Sequence, residues 1–189
     1  TGGVYDAIGS YRHPICQDAT QPGCITVTDP NDPTSQFTGH DTQGKEIVTV
    51  SAHVRVDGRK LRDGNFFSAS IGPVALGVED GVMGPAGVGE LAISSDGKVY
   101  GYTGADTVPV ILVRDRVSLN EWHTLAVVAD FHKRATTFYV DDDCVGTIPF
   151  DATVTTNVLL RGSMLTYAAP DTDLAKKADY SAHFDQFAI

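Results

Sequence analysis

The chain contains no apolar run of the ~18 residues that a transmembrane helix requires. Basic residues are few. Lys and Arg total 14 against 24 Asp and Glu, the net charge is −10, the acidic residues are dispersed, and no long Lys/Arg run occurs beyond a short basic loop at Arg59, Lys60 and Arg62. Such a surface repels phosphate backbones, so nucleic-acid binding is excluded as a function class. Only three cysteines occur, with no CxxC pair and no Cys/His spacing of a zinc site. Glutamate is scarce too: Glu46, Glu79, Glu90 and Glu121 are the full set, and none sits two or four residues from another. There is no GxSxG elbow, no GK[ST] ending to a glycine-rich loop, no spaced calcium loop and no fixed-period repeat. The opening TGGVYDAIG lacks a basic region followed by an apolar one, so no signal peptide is expected in this stretch. A chain that begins after such a peptide and an excised domain both fit.

Turn formers are abundant. Nineteen glycines and nine prolines punctuate the sequence about every eight to twelve residues, as in all-β proteins. A chain of 189 residues buries roughly 70% of its unfolded surface and needs no staples to hold a core. One domain is expected, with residues 1–45 as a loop-rich segment carrying a first strand near 4–8, and residues 46–189 as the body.

The most informative segment is 117–150, VSLNEWHTLAVVADFHKRATTFYVDDDCVGTIPF. Leu125, Val127, Ala129 and Phe131 alternate with polar or small residues, and Phe138 and Val140 alternate with Thr137 and Tyr139. This period of two places one face on a core. Trp122 is expected in that core, and Asp141, Asp142 and Asp143 make an acidic turn. Residues 46–57, EIVTVSAHVRVD, form a second secure strand with Val48, Val50, Ala52, Val54 and Val56 on its apolar face. His53 and Arg55 lie on the other face. Further strands are expected at 65–71, 74–79, 108–113, 157–165 and 182–189, with a short one at 25–28. Residues 89–94 and 98–102 read as a hairpin across an Asp-Gly turn. Residues 80–89, DGVMGPAGVG, read as a glycine-rich loop, and 173–177 as one helical turn. About twelve strands and almost no helix predict an all-β, two-sheet antiparallel jelly-roll sandwich.

The order of features from about Glu46 to Ile189 resembles the concanavalin A-like and laminin G-like jelly rolls. It is most similar to the lectin domain attached to bacterial sialidases. VTVSAHVRV, NFFSASI, GELAISSDGKVYGYTG, EWHTLAVV, TTFYVDD and AHFDQFAI carry the resemblance, over about three-quarters of the chain. It implies a carbohydrate-binding or adhesion domain. Hydrolases of that fold carry paired glutamates in a pattern like ExDxE, and this chain departs from it. Similar carbohydrate-binding jelly rolls carry a structural calcium ligand at an Asp in the final strand, which here points to Asp185, with Asp6 as its partner.

Sugar binding needs aromatic platforms and planar polar groups, because pyranose rings offer apolar faces and hydroxyl edges. The candidate ligand-binding residues are His53, Arg55, Asn65, Tyr100, Tyr102 and Arg161, with Tyr139 and Tyr167 as further aromatic candidates. Arg55 and Arg161 suit a uronate carboxylate. Asp141–Asp143 are either a calcium group or a hairpin cap, and Asp171 and Asp173 form a third acidic group. Cys16 and Cys24 bracket CQDATQPGC and suit a disulfide in an exported protein. Cys144 is left over.

The expected function is a non-catalytic, secreted or cell-surface glycan-binding or adhesion domain. A calcium-stabilised, self-associating subunit of a surface layer or filament is the alternative. A polysaccharide lyase or hydrolase is the third reading.

Overall fold

The computed structural model describes residues 3–6, 9–58, 67–94, 97–103, 111–114, 117–150, 153–168 and 180–189. Fifteen strands run through them: β1 (Gly3–Asp6), β2 (Gly9–Pro14), β3 (Cys24–Thr28), β4 (Gln36–Asp41), β5 (Ile47–Gly58), β6 (Phe67–Glu79), β7 (Val82–Gly87) and β8 (Glu90–Ser94). Then follow β9 (Val99–Tyr102), β10 (Ile111–Arg114), β11 (His123–Asp130), β12 (Ala135–Val140), β13 (Asp143–Pro149), β14 (Val158–Ala168) and β15 (Tyr180–Ala188). The smaller sheet has the order β1-β15-β5-β11-β12-β13. The larger runs β10-β9-β8-β6-β14-β4-β3, with β2 on β14 and β7 on β6. Every pairing among these strands is antiparallel. The chain passes from sheet to sheet at β2, β5, β6, β11, β14 and β15. The result is the two-sheet antiparallel jelly-roll sandwich that the patterning predicts.

The core lies between the two sheets. Val50, Ala52, Val54 and Val56 of β5, Leu125 and Val127 of β11, and Phe138 and Val140 of β12 form the inner face of the smaller sheet. They pack on Ala69, Ile71, Leu91, Ile93 and Val99 of the larger one. Gly101 leaves room for the Phe138 ring, because a Cβ there would stand 2.6 Å from Phe138 Cε2.

Three elements differ from expectation. Residues 36–41, read as loop, form β4, which pairs with β3 as Cys24↔His40 through Thr28↔Gln36. The 80–89 stretch is not a loop but β7, hairpinned onto β6 through Asp80 (φ +50°) and Gly81 (φ +77°). Two successive positive φ values make the turn that matches strand twist, so the glycines are spaced within a ladder. Buried Asp29 fastens this hairpin by accepting hydrogen bonds from Asn31 N (2.8 Å) and Met83 N (3.3 Å). The strands expected at 65–71 and 74–79 are one strand, β6, running through Pro73. Its carbonyl accepts Val88 N (3.2 Å) in the gap between β8, paired up to Ile71, and β7, paired from Val74. A proline is tolerated there because its missing N–H falls where no ladder partner stands. The helical turn expected at 173–177 lies outside the described residues.

Trp122 corrects a further expectation. It is 46% exposed, not part of the core. Alternation through Leu125 and Val127 puts His123 inward and Trp122 outward. The buried His123 spends both ring nitrogens, Nδ1 on Asp141 Oδ2 and Nε2 on Ser118 O, each at 2.9 Å.

Candidate functional site

Register assembles a polar row on the outer face of the larger sheet. Leu91, Ile93, Ala69, Ile71 and Met164 face the core, so Glu90, Ala92, Ser70, Gly72 and Ser163 face outward. Tyr102 pairs with Glu90, Ser163 pairs with Gly72, and Arg12 pairs with Ser163. Gly72 lies against Glu90: a Cβ on it would stand 2.1 Å from Gly89 O and 3.1 Å from Glu90 Cα. The row therefore reads Tyr102, Glu90, Gly72, Ser163, Arg12 across five strands, roughly 19 Å at ~4.8 Å per strand. Tyr100 lies in the adjoining row, opposite Ala92, which is in turn opposite Ser70. Gly72 leaves the centre of the row without a side chain, and Ser163 Oγ donates to its carbonyl at 3.2 Å.

Arg161 joins this face through a β-bulge. Leu159 pairs with Ala75 and Arg161 with Val74, so the register slips at Leu160. Bulges re-aim the side chain that follows them. Here the slip puts Leu160 and Arg161 on the same side: Leu160 packs outward with Leu76 and Val158, and Arg161 stands two residues from outward Ser163. Burial, and then the neighbouring Arg12 guanidinium, hold Arg161 below the usual arginine range. Its Nε is buried and has no hydrogen-bond partner among the described residues. Burial likewise pushes the Glu90 carboxyl above the usual carboxylate range, an effect partly offset by a hydrogen bond from Ser70. Nothing in a single-sequence pattern marks Glu90, Ser163 or Arg12; only the register places them together.

The six ligand-binding candidates do not form one site. Tyr100, Tyr102 and Arg161 share the outer face of the larger sheet. His53 and Arg55 lie on the outer face of the smaller one, on the far side of the core, so the expected pairing of Arg55 with Arg161 on one carboxylate is ruled out. Asn65 lies outside the described residues. Tyr139 sits on the smaller sheet, opposite Ala126, and Tyr167 pairs with Ser68 in the larger one.

The smaller sheet's outer face carries its own cluster. Arg55 Nη2 donates to Asp57 Oδ2 at 2.7 Å, and His183 Nε2 reaches the same oxygen at 2.8 Å. The Arg55 guanidinium stacks on Trp122, and the His183 ring meets Trp122 edge-on with centroids 6.4 Å apart. His53 lies opposite Thr124 on one side and Asp185 on the other.

The proposed calcium partners are not neighbours. Asp6 pairs with Ser181, whereas Asp185 stands four residues further along β15, roughly 13 Å at ~3.3 Å per residue. Ligands at 2.3–2.6 Å from one ion do not fit that separation. Asp141 caps a hairpin: Oδ1 accepts Thr124 N and Oδ2 meets His123, both at 2.9 Å. Its φ of +51°, followed by +66° at Asp142, makes the turn. Asp171 and Asp173 lie outside the described residues. Cys16 and Cys24 form the expected disulfide, with Cα atoms 5.9 Å apart, and Cys144 is an exposed thiol.

No protein-family model matches the chain, and no curated protein matches it either. Solved structures of similar fold include a sialidase (TM-score 0.46, 16% identity, 85% of this chain and 14% of that one). Others are the carbohydrate-binding module CBM66 from Bacillus subtilis (0.45, 12%, 87% and 93%) and the Emp47p carbohydrate recognition domain (0.46, 12%, 95% and 86%). The chain thus spans about a seventh of the sialidase's length. The likeness is one of fold and extends no further.

Proposed function

We propose that this β-sandwich is a non-catalytic carbohydrate-binding domain that takes an acidic glycan on the outer face of its larger sheet. One observation carries the reading. In a chain of net charge −10, a half-buried arginine, Arg161, stands with the Arg12 guanidinium close by, and burial first and that neighbour second raise the cost of its charge. A planar guanidinium suits a carboxylate or sulfate group on a sugar, and Arg161 Nε has no hydrogen-bond partner among the described residues. Half-buried Ser163 supplies a hydroxyl beside them and half-buried Tyr100 a ring face, whereas Ser70 and Tyr102 are buried beneath this surface. The names of CBM66 and of the Emp47p carbohydrate recognition domain agree with a glycan ligand.

Among the described residues of this row no second carboxylate stands beside Glu90, which supports binding over hydrolysis. A hydrolase sets two carboxylates about 5–9.5 Å apart, whereas the neighbours of Glu90 in its row are Tyr102 and Gly72, with Ser163 beyond. The Cys16–Cys24 disulfide supports an oxidising compartment, secreted or at the cell surface.

Calorimetric titration with oligouronates and with neutral oligosaccharides of equal length tests the proposal. Binding should be confined to the acidic series, weaken with added salt, and fall at least about tenfold, or about 1.4 kcal/mol, in Arg161→Ala. Equal binding of the neutral series, or indifference to Arg161→Ala, would reject the acidic-glycan site. Shortening of the polymer during incubation would move the assignment to a lyase or hydrolase.

A further inference from the structure

The outer face of the smaller sheet has no covering layer among the described elements. Register sets Thr49, Val128 and Thr137 in one row across it, and Ser51, Ala126 and Tyr139 in the next. Their chain neighbours Val50, Val127, Phe138 and Val140 belong to the core, so these six point away from it. All six are exposed or half-buried, and none is Asp, Glu, Lys, Arg or His. A soluble surface ordinarily holds one such charged residue in every three or four. Charge stands around the patch instead: Asp130 with Lys133 at one end, Arg55 with Asp57 at the other, and Asp185 on the β15 side. A charge-depleted centre inside a charged rim is the anatomy of a protein–protein interface.

The same charge distribution says what covers it. Copies of a chain with net charge −10 repel one another, and an uncharged face is where they meet without setting like charges together. The two ends of the face are unlike, and both lie four residues from Ser51 along β5: Arg55 at one, Ile47 opposite Asp130 at the other. Ile47 is 62% exposed. We infer that this face is a two-fold, self-complementary contact with a second copy of the chain, its axis running along the Ser51–Ala126–Tyr139 row. Turning about that axis lays the strands of the two copies antiparallel. It puts the Arg55 end of each over the Ile47–Asp130 end of the other. An axis along the strands would set each end over its own copy, carboxylate over carboxylate.

The size fits as well. Six strands at ~4.8 Å, and the eight residues of β11 at ~3.3 Å, make a face of roughly 29 by 26 Å. That is about 750 Å2 per copy, close to the ~800 Å2 per partner of a stable interface. Residues in the axis row meet their own copies. Cys144 is paired with Tyr139 in that row and is an exposed thiol. The two Cys144 residues therefore face each other across sheets packed ~10 Å apart. Both larger sheets point outward, so the dimer would present two of the proposed glycan faces in opposite directions. The contact itself does not depend on the glycan reading.

Sedimentation of the full chain over a concentration series at about 0.15 M salt tests the proposal. A monomer–dimer equilibrium is expected, and added salt should strengthen it by screening the repulsion between copies. Ala126→Lys sets two like charges face to face on the axis and should weaken the dimer at least about tenfold. Thr26→Lys makes the same charge change at an exposed site on the larger sheet and should not weaken it. Circular dichroism shows whether each variant is folded. Independently of any variant on the face, a short bismaleimide should join wild-type chains into a covalent dimer, and Cys144→Ser should give none. Monomer at every concentration, assemblies growing beyond a dimer, equal dimerisation of a folded Ala126→Lys, or no cross-link through Cys144 would each overturn the proposal. Should Ala126→Lys fail to fold, sedimentation and cross-linking of the wild type decide it.

Discussion

The guanidinium carbon of Arg55 lies 5.2 Å from the centre of the Trp122 ring. Arg55 lies on β5 and Trp122 just before β11, and His183, opposite Arg55 on β15, closes the group from the other side. The chain's one tryptophan therefore serves a surface cluster, not the core.

Trp122 should report this position directly. Its emission should be that of a water-exposed indole, readily quenched by acrylamide. Trp122→Ala should cost about 0.5–1 kcal/mol, the worth of an exposed cation–π contact, in urea denaturation. A loss of about 3–5 kcal/mol, typical of an emptied aromatic core site, would return Trp122 to the interior.

Glu90 should make the fold less stable as pH rises. Its folded-state pKa is raised, chiefly by burial, so the native state binds a proton more tightly than the unfolded chain does. No penalty exists below the unfolded glutamate value of about 4.3. The penalty grows as pH climbs from there to the folded value, and it is complete above that value. Glu90→Gln should therefore be more stable than wild type at pH 7 and about equal to it at pH 3. Denaturant midpoints at the two pH values decide the matter, and a variant that is less stable at pH 7 contradicts it.

Gly72→Ala should destabilise by about 1–3 kcal/mol, as overpacking does, because the new Cβ would stand 2.1 Å from the Gly89 carbonyl. Backbone must move to admit it. Gly84→Ala, with nothing within 4 Å of its Cβ, should stay within about 0.5 kcal/mol of wild type. Thermal melts of the pair give the comparison, and equal midpoints would refute the close approach.

Removing the disulfide with Cys16→Ser and Cys24→Ser should cost about 2.5 kcal/mol, from the loop-closure entropy of its short ring. Chemical denaturation under non-reducing conditions measures the difference. A change below about 0.5 kcal/mol would mean that the surrounding ladder holds this loop without the bond.

Much of the fold was legible in the residues. Strict alternation in 46–57 and 123–130 fixed both the strands and their inner faces, because a period of two has one solution when one side is apolar. The Asp-Gly hairpin and the Cys16–Cys24 pairing were equally local. β4 and β7 are not legible because β4 carries Gly39 and Asp41 and β7 carries Gly84, Pro85 and Gly87, all poor strand formers; their strand state comes from the partners β3 and β6, not from propensity. The parity that made Leu125 inward also made Trp122 outward, so that signal was present, but the size and hydrophobicity of tryptophan outweighed it.

The candidate site divides in the same way. Tyr100, Tyr102 and Arg161 could be named from residue type, but so could His53 and Arg55, which ended on the opposite surface. The sequence by itself determined the residue types, the strand faces and the two-layer class, because these depend on neighbours two positions apart. Only the tertiary structure decided which outward residues meet. Tyr102, Glu90, Ser163 and Arg12 are brought into one row by the register between β9, β8, β6, β14 and β2, and Arg161 is added by one slipped residue at Leu160. Register and bulges are set by how long-range strands pack, a cooperative property of the whole sandwich that no short stretch of chain contains.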